Sequence, residues 1–284
     1  PDTYRSRFIA ADGTYDWRGE LEFGFELVDR QSTGALAACI VEPILSSGGV
    51  LEPPEGWMAA LAEKCRERDM QLIFDEAQTG LGRTGTLFAC ERAAITPDFL
   101  CLSKGLTAGY LPMSVVLTSE DVYRAFYDEY AKLNAFLHSH SYAGNPLGCA
   151  AALASLAIFR EDRVLERNRD TAALLEKTVR AAFEDHPRVA EVRCSGMIVA
   201  VEYVRERETR TPYDWRERRS LAMHRHALER GLGLGDGAEF ARAGAGDCHS
   251  ESRLCHSGGG DTLLPGRWPA ANPSVARHAY PCRQ

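Results

Sequence analysis

Two charged islands in this chain combine residue types that do chemistry together. One is Leu72-Ile-Phe-Asp75-Glu76-Ala-Gln78-Thr-Gly80, and the other is Phe99-Leu-Cys-Leu-Ser-Lys104-Gly105. Each follows an apolar, strand-like run, so an aspartate and a lysine are expected to emerge near one edge of a sheet. A lysine amine can condense with an aldehyde, and a carboxylate facing a heteroaromatic nitrogen turns the ring into an electron sink. Taken singly, each has a plainer reading. A lone lysine after a strand is more often a solvated charge, and an Asp-Glu pair is often a turn or cap.

The elements around these islands alternate as an α/β sheet requires. Residues 36–42 read as a strand, and Pro53-Pro54 opens a helix on which Trp57, Leu61 and Cys65 recur at helical spacing. Further strands are expected at 72–74, 99–102 and 114–117. Their apolar faces are unbroken, which suits a mainly parallel sheet covered on both sides. A helix is expected over 147–159, with Asn145 as its cap and Pro146 at its first position. From residue 164 a long helix to about 185 precedes strand-like 189–204, a second helix ending near Gly231, and a strand at 231–234.

With the elements in place, the ordered motifs Val41-Glu42-Pro43-Ile44, Phe74-Asp75-Glu76-Ala-Gln78-Thr79-Gly80-Leu-Gly82-Arg83-Thr84-Gly85, Pro97-Asp98 and Ser103-Lys104-Gly105 resemble class III (ω-type) aminotransferases. These are fold-type I, pyridoxal-phosphate-dependent enzymes of α/β fold, with a mainly parallel large domain and a small α+β C-terminal domain. The resemblance runs from about Tyr4 to about Leu234. It implies that Lys104 is the Schiff-base lysine and proton shuttle, that Asp75 faces the pyridinium nitrogen of pyridoxal 5'-phosphate, and that Gln78 contacts the phenolic oxygen. Gly80, Gly82 and Arg83-Thr84-Gly85 match the family's structural loop and carry no chemistry on this reading. His138-Ser-His140-Ser141-Tyr142-Ala143-Gly144-Asn145-Pro146 resembles the loop through which a neighbouring subunit reaches the cofactor phosphate. Ser141 would be the donor there, which implies a homodimer with shared sites.

Substrate choice points two ways. Residues 15–92, including Glu42-Pro43-Ile44-Leu45-Ser46-Ser47-Gly48-Gly49, resemble the 2,2-dialkylglycine decarboxylases. Many relatives carry glutamate at the place of Ser47, and its hydroxyl would spare a substrate carboxylate that repulsion. Ser-Ser-Gly-Gly is also ordinary turn chemistry. Residues 99–211 resemble instead the members that aminate 8-amino-7-oxononanoate in biotin synthesis. This second activity leads, decarboxylation-dependent transamination follows, and an inactive or interaction protein on the same fold is the alternative from another class.

The resemblance divides the chain into a partial large cofactor-binding domain (1–160), a partial small domain (161–234) and a tail (235–284) unlike the family. The family's glycine/serine phosphate loop and ring-stacking aromatic have no match upstream of Tyr4. A carboxylate-binding arginine expected just beyond Leu234 is likewise unmatched. The tail has no Lys, Ile or Met and scatters Cys248, Cys255 and Cys282 among histidines, a composition that a shifted reading frame or a disordered extension would give.

Whole-chain properties bound the rest. At 284 residues and 45% hydrophobic, the chain can bury a large core. A net charge of −7 without a basic stripe argues against a nucleic-acid partner. The family resemblance implies small amines and keto acids as partners, besides a second subunit. No apolar run has membrane-spanning length and no signal peptide opens the chain, so the cytoplasm is the expected setting. Cys39, Cys65, Cys90, Cys101 and Cys149 read as small core hydrophobes, and His-x-His at 138–140 lacks the further ligands of a metal site.

Overall fold

The computed structural model describes residues 6–138 and 140–233. Helix α1 (Trp17–Gln31) starts at Asp16, whose side chain accepts from the Gly19 N–H, and buries Leu21 and Phe25 one turn apart. Strand β1 (Ala38–Val41) follows, then α2 (Trp57–Glu67) and β2 (Gln71–Asp75). A short 3-10 helix (Ala89–Ala93) leads to β3 (Phe99–Leu102), and β4 (Val115–Thr118) completes a sheet of order β1-β2-β3-β4.

β1, β2 and β3 pair in parallel, with Ile40 opposite Ile73 and Asp75 opposite Cys101. β4 runs antiparallel to β3. The sheet is thus mainly parallel with one antiparallel edge strand, and the connection shows why. Parallel neighbours need a crossover, usually a helix, whereas residues 103–114 hold only one 3-10 turn, Lys104–Thr107.

The core lies on one face of this sheet. Leu72, Phe74, Leu100 and Leu102 meet Trp57, Met58, Leu61 and Cys65 of α2 and Leu21 and Phe25 of α1. Along β2 and β3 every second residue is buried and the alternates are half-exposed, while Ile40 and Val116 on the other face are exposed. The expectation of strands covered on both sides fails within the described residues. Unbroken apolar runs show what can be buried, whereas burial needs a covering element.

α3 (Glu120–Ala125) is capped by the Ser119 side chain. α4 (Pro146–Glu161) opens with the Asn145 side-chain Oδ1 accepting from the Leu147 N–H and with proline in its first turn, as its sequence requires. α5 (Val164–Phe183), β5 (Val189–Ser195), β6 (Ile198–Tyr203) and α6 (Arg219–Leu228) follow. β5 and β6 form an antiparallel hairpin turning at Gly196-Met197. The strand expected at 231–234 is absent from 231–233. There Gly231 at φ +78° ends α6, its N–H and that of Leu232 returning to the carbonyls of Leu228 and Ala227. Leu234 and the tail 235–284, with its three cysteines, lie outside the described residues.

Candidate active site

β2 and β3 are adjacent and parallel, so their carboxyl ends open at the same edge. Asp75 is the last residue of β2 and lies on the half-exposed face, its Oδ1 accepting from the Ala77 N–H at 3.0 Å. Two residues beyond β3, Lys104 begins the 3-10 turn with φ +42°, a left-handed conformation costly to a lysine. Two hydrogen bonds and one apolar contact hold that turn. Ser103 Oγ donates to the Met113 carbonyl at 2.8 Å, Ser155 Oγ of α4 donates to the Gly105 carbonyl at 3.3 Å, and Leu106 packs with Ala152 and Leu81.

The neighbouring carboxylates have opposite fates. Glu76, 1% exposed, turns inward and accepts from the N–H groups of Ala89 and Cys90 at 2.7 and 2.8 Å and from Thr79 Oγ1 at 3.1 Å. Those bonds cap the 3-10 helix at Ala89–Ala93. Burial, then the Glu76 charge, push the Cys90 thiol up to about 12, so it is inert at neutral pH. Asp98 of the Pro-Asp pair is also structural. Its carboxylate accepts from Leu72 N–H at 2.7 Å and aligns the starts of β2 and β3.

Lys104 makes no ion pair among the described residues, unlike Lys64 with Glu22 and Lys132 with Asp128. Although the residue is exposed, burial around its amine holds it below the ordinary lysine value, and the Arg83 guanidinium adds to this. Asp75 and Glu42 pull the other way, which places all three charges within reach of the amine. Gln78 is 9% exposed, and its Oε1 is buried without a partner among the described residues. A buried amide of this kind ordinarily finds one.

The shared edge expected for Asp75 and Lys104 is where β2 and β3 end, and Gln78 follows β2 by three residues. Sequence reasoning passed over Glu42 and Arg83, although both lie within its motifs. Arg83 had been set aside as part of a loop without chemistry, yet its charge reaches Lys104. Ser47 lies half-buried in the turn 46–49 beside Glu42, whose carboxylate accepts from Ser46 Oγ at 2.8 Å. Ser141 lies elsewhere, exposed in the turn 141–144, with no hydrogen bond to its hydroxyl among the described residues. No hydrogen bond among the described residues joins it to the Lys104 turn.

Residues 10–238 match the family Aminotransferase class-III. The chain belongs to that family, and its fold is the α/β, fold-type I arrangement. It is 42% identical over 211 residues to the adenosylmethionine-8-amino-7-oxononanoate aminotransferase of Geobacter sulfurreducens, covering 74% of this chain and 46% of that protein. The crystal structure of the enzyme of that name from Methanocaldococcus jannaschii superimposes with a TM-score of 0.65 at 36% identity, over 68% of this chain and 45% of the other. A Bacillus anthracis aminotransferase gives a TM-score of 0.75 at 31% identity, over 84% and 52%. The chain spans about half the length of these relatives. No helix among the described residues is long and apolar enough to cross a membrane.

Proposed function

We propose that this chain binds pyridoxal 5'-phosphate and serves transamination from a small amine or amino acid to a keto acceptor, with 8-amino-7-oxononanoate amination in biotin synthesis as the particular reaction. The observation that carries the class is the pairing of Lys104, without an ion pair among the described residues, with Asp75 at the ends of adjacent parallel strands. The unpartnered Gln78 Oε1, three residues after Asp75, is the kind of buried atom a bound ligand satisfies. The residues therefore fit the cofactor.

Bound pyridoxal phosphate supplies an aldehyde and a ring that draws electrons from the substrate carbon. Asp75 would hold a proton on the ring nitrogen, since its anion favours the protonated form. Gln78 would meet the phenolic oxygen with its amide. Lys104 Nζ, held below its usual basicity, keeps more of the neutral amine that attacks an aldehyde, and once released it takes and returns a proton at the substrate carbon.

Ser141 is assigned to a phosphate in the neighbouring subunit of a homodimer. Its hydroxyl makes no hydrogen bond among the described residues, and the same segment exposes apolar side chains, Phe136, Leu137, Tyr142 and Leu147, that a second subunit would cover. Ser47 remains a candidate substrate contact, next in the turn to Ser46, whose hydroxyl donates to Glu42. The break between large and small domains is placed near residue 161, between α4 and α5. A cytoplasmic setting is supported by the six described cysteines, all free thiols.

The names of the relatives favour 8-amino-7-oxononanoate over decarboxylation. A substrate panel tests the choice. Amination of 8-amino-7-oxononanoate is expected, and release of carbon dioxide from 2-aminoisobutyrate would replace it with decarboxylation-dependent transamination. Turnover of ω-amino acids alone would leave only the class. The inactive alternative predicts no visible absorbance on adding pyridoxal phosphate.

A further inference from the structure

We infer that Arg83 is a positioning residue that ties the hairpin turn of the β5–β6 unit to the Lys104 turn and sets the charge environment of the lysine amine. The inference deepens the reading of Lys104 given above and rests on it.

The geometry has two ends. At the backbone end, the Arg83 carbonyl accepts from the Met197 N–H at 2.8 Å. Gly196 crosses the same loop so closely that a Cβ there would lie 2.5 Å from the Arg83 oxygen and 2.6 Å from the Thr84 carbonyl carbon. At the side-chain end, Nη1 of Arg83 donates to the Gln78 carbonyl at 3.3 Å and lies 3.5 Å from where a Cβ on Gly105 would be. Gly105 directly follows Lys104. One residue therefore bonds the hairpin turn and the backbone of the Gln78 segment, and its guanidinium lies against the space beside Gly105 in the Lys104 turn.

Arg83 is also half-buried, which holds its guanidinium below the ordinary arginine value, and it has no carboxylate partner within ion-pair distance among the described residues. Arg92 has Glu52 and Ser195, and Arg193 has Glu191 and Glu202. A buried cation without a counter-anion is costly, which argues for a role beyond packing. The charged groups facing the Lys104 amine are Arg83 from the loop after β2, Asp75 from the end of β2 and Glu42 from the segment after β1. Arg83 is the only cation of the three. It favours the neutral amine, and the two carboxylates oppose it.

The test follows the reactivity of Lys104 itself and needs no cofactor. The whole chain is acylated with trace acetic anhydride across a pH series, and Lys104 and exposed Lys177 are quantified by peptide mass spectrometry. Lys104 in the unaltered protein is expected to reach half-maximal acylation at lower pH than Lys177. Arg83→Gln should raise that midpoint and lower the Lys104 rate at pH 8 by about three- to tenfold, while Arg83→Lys keeps it near the original. A Lys104 midpoint no lower than that of Lys177 in the unaltered protein overturns the inference, even if Arg83→Gln does not fold. Equal loss in Arg83→Lys and Arg83→Gln also overturns it. Visible absorbance with pyridoxal phosphate, read on the same unaltered sample, reports separately on cofactor binding. Its absence with a lowered Lys104 midpoint would remove the proposed function and leave Arg83's role standing.

Discussion

Asp75 and Glu76 are adjacent carboxylates with different surroundings, and the difference assigns their work. Asp75 stands on the half-exposed face at the edge of the sheet, whereas Glu76 is enclosed and saturated by Thr79, Ala89 and Cys90. Asp75→Asn should keep the fold and the visible absorbance but lower turnover by on the order of a hundredfold, about 2.7 kcal/mol of transition-state stabilisation. Half-reaction kinetics check this, and unchanged turnover would remove Asp75 from the chemistry. Glu76→Gln should instead destabilise the fold by roughly 1 to 3 kcal/mol, because an amide oxygen replaces only one of two acceptors facing the Ala89 and Cys90 N–H groups. Thermal or urea unfolding would show it, and an unshifted midpoint would mean those bonds are not made.

At the level of elements, the loop 80–85 joins the sheet to the hairpin. Gly80 lets it start close to the sheet, since a Cβ there would lie 2.8 Å from the Glu76 carbonyl oxygen and 3.1 Å from Leu102. Gly196, at φ +59°, lets the β5–β6 turn settle onto Arg83 and Thr84. Gly196→Ala adds both a backbone penalty and a clash, so a loss of roughly 1 to 3 kcal/mol in urea unfolding is expected. A stability equal to the parent would contradict the docking of the hairpin on that loop. Much of this level was legible in sequence. β3 falls on its expected residues, and α4 begins at the expected cap because Asn-Pro fixes a helix start locally. α1 was not anticipated, although Asp16 before Trp17, Leu21 and Phe25 at four-residue steps is a helix signature. What sequence could not give was non-local. The direction of β4 depends on how residues 103–114 return, and the approach of Arg83 to Lys104 depends on two loops meeting in space.

For the whole molecule, the lysine edge is assembled from residues of one chain, while Ser141 and its apolar surroundings face outward. That division suits a two-fold assembly in which each subunit lends a donor to the other's phosphate. Ser141→Ala is then expected to weaken cofactor affinity by on the order of 1.5 to 3 kcal/mol without unfolding the chain. Light scattering coupled to size exclusion should report a dimer. A monomer that binds pyridoxal phosphate as tightly as its Ser141→Ala variant would contradict the shared site.

The central claim is that Lys104 is the amine that joins the cofactor, and the sequence makes it sharply testable because the chain has only four lysines, Lys64, Lys104, Lys132 and Lys177. Pyridoxal phosphate is added near stoichiometry, the mixture is reduced with borohydride, and the labelled peptides are identified by mass spectrometry. The expected result is label concentrated on the peptide holding Lys104, and lost in Lys104→Ala. Label spread equally over the four lysines, or persisting unchanged in that variant, would contradict the account.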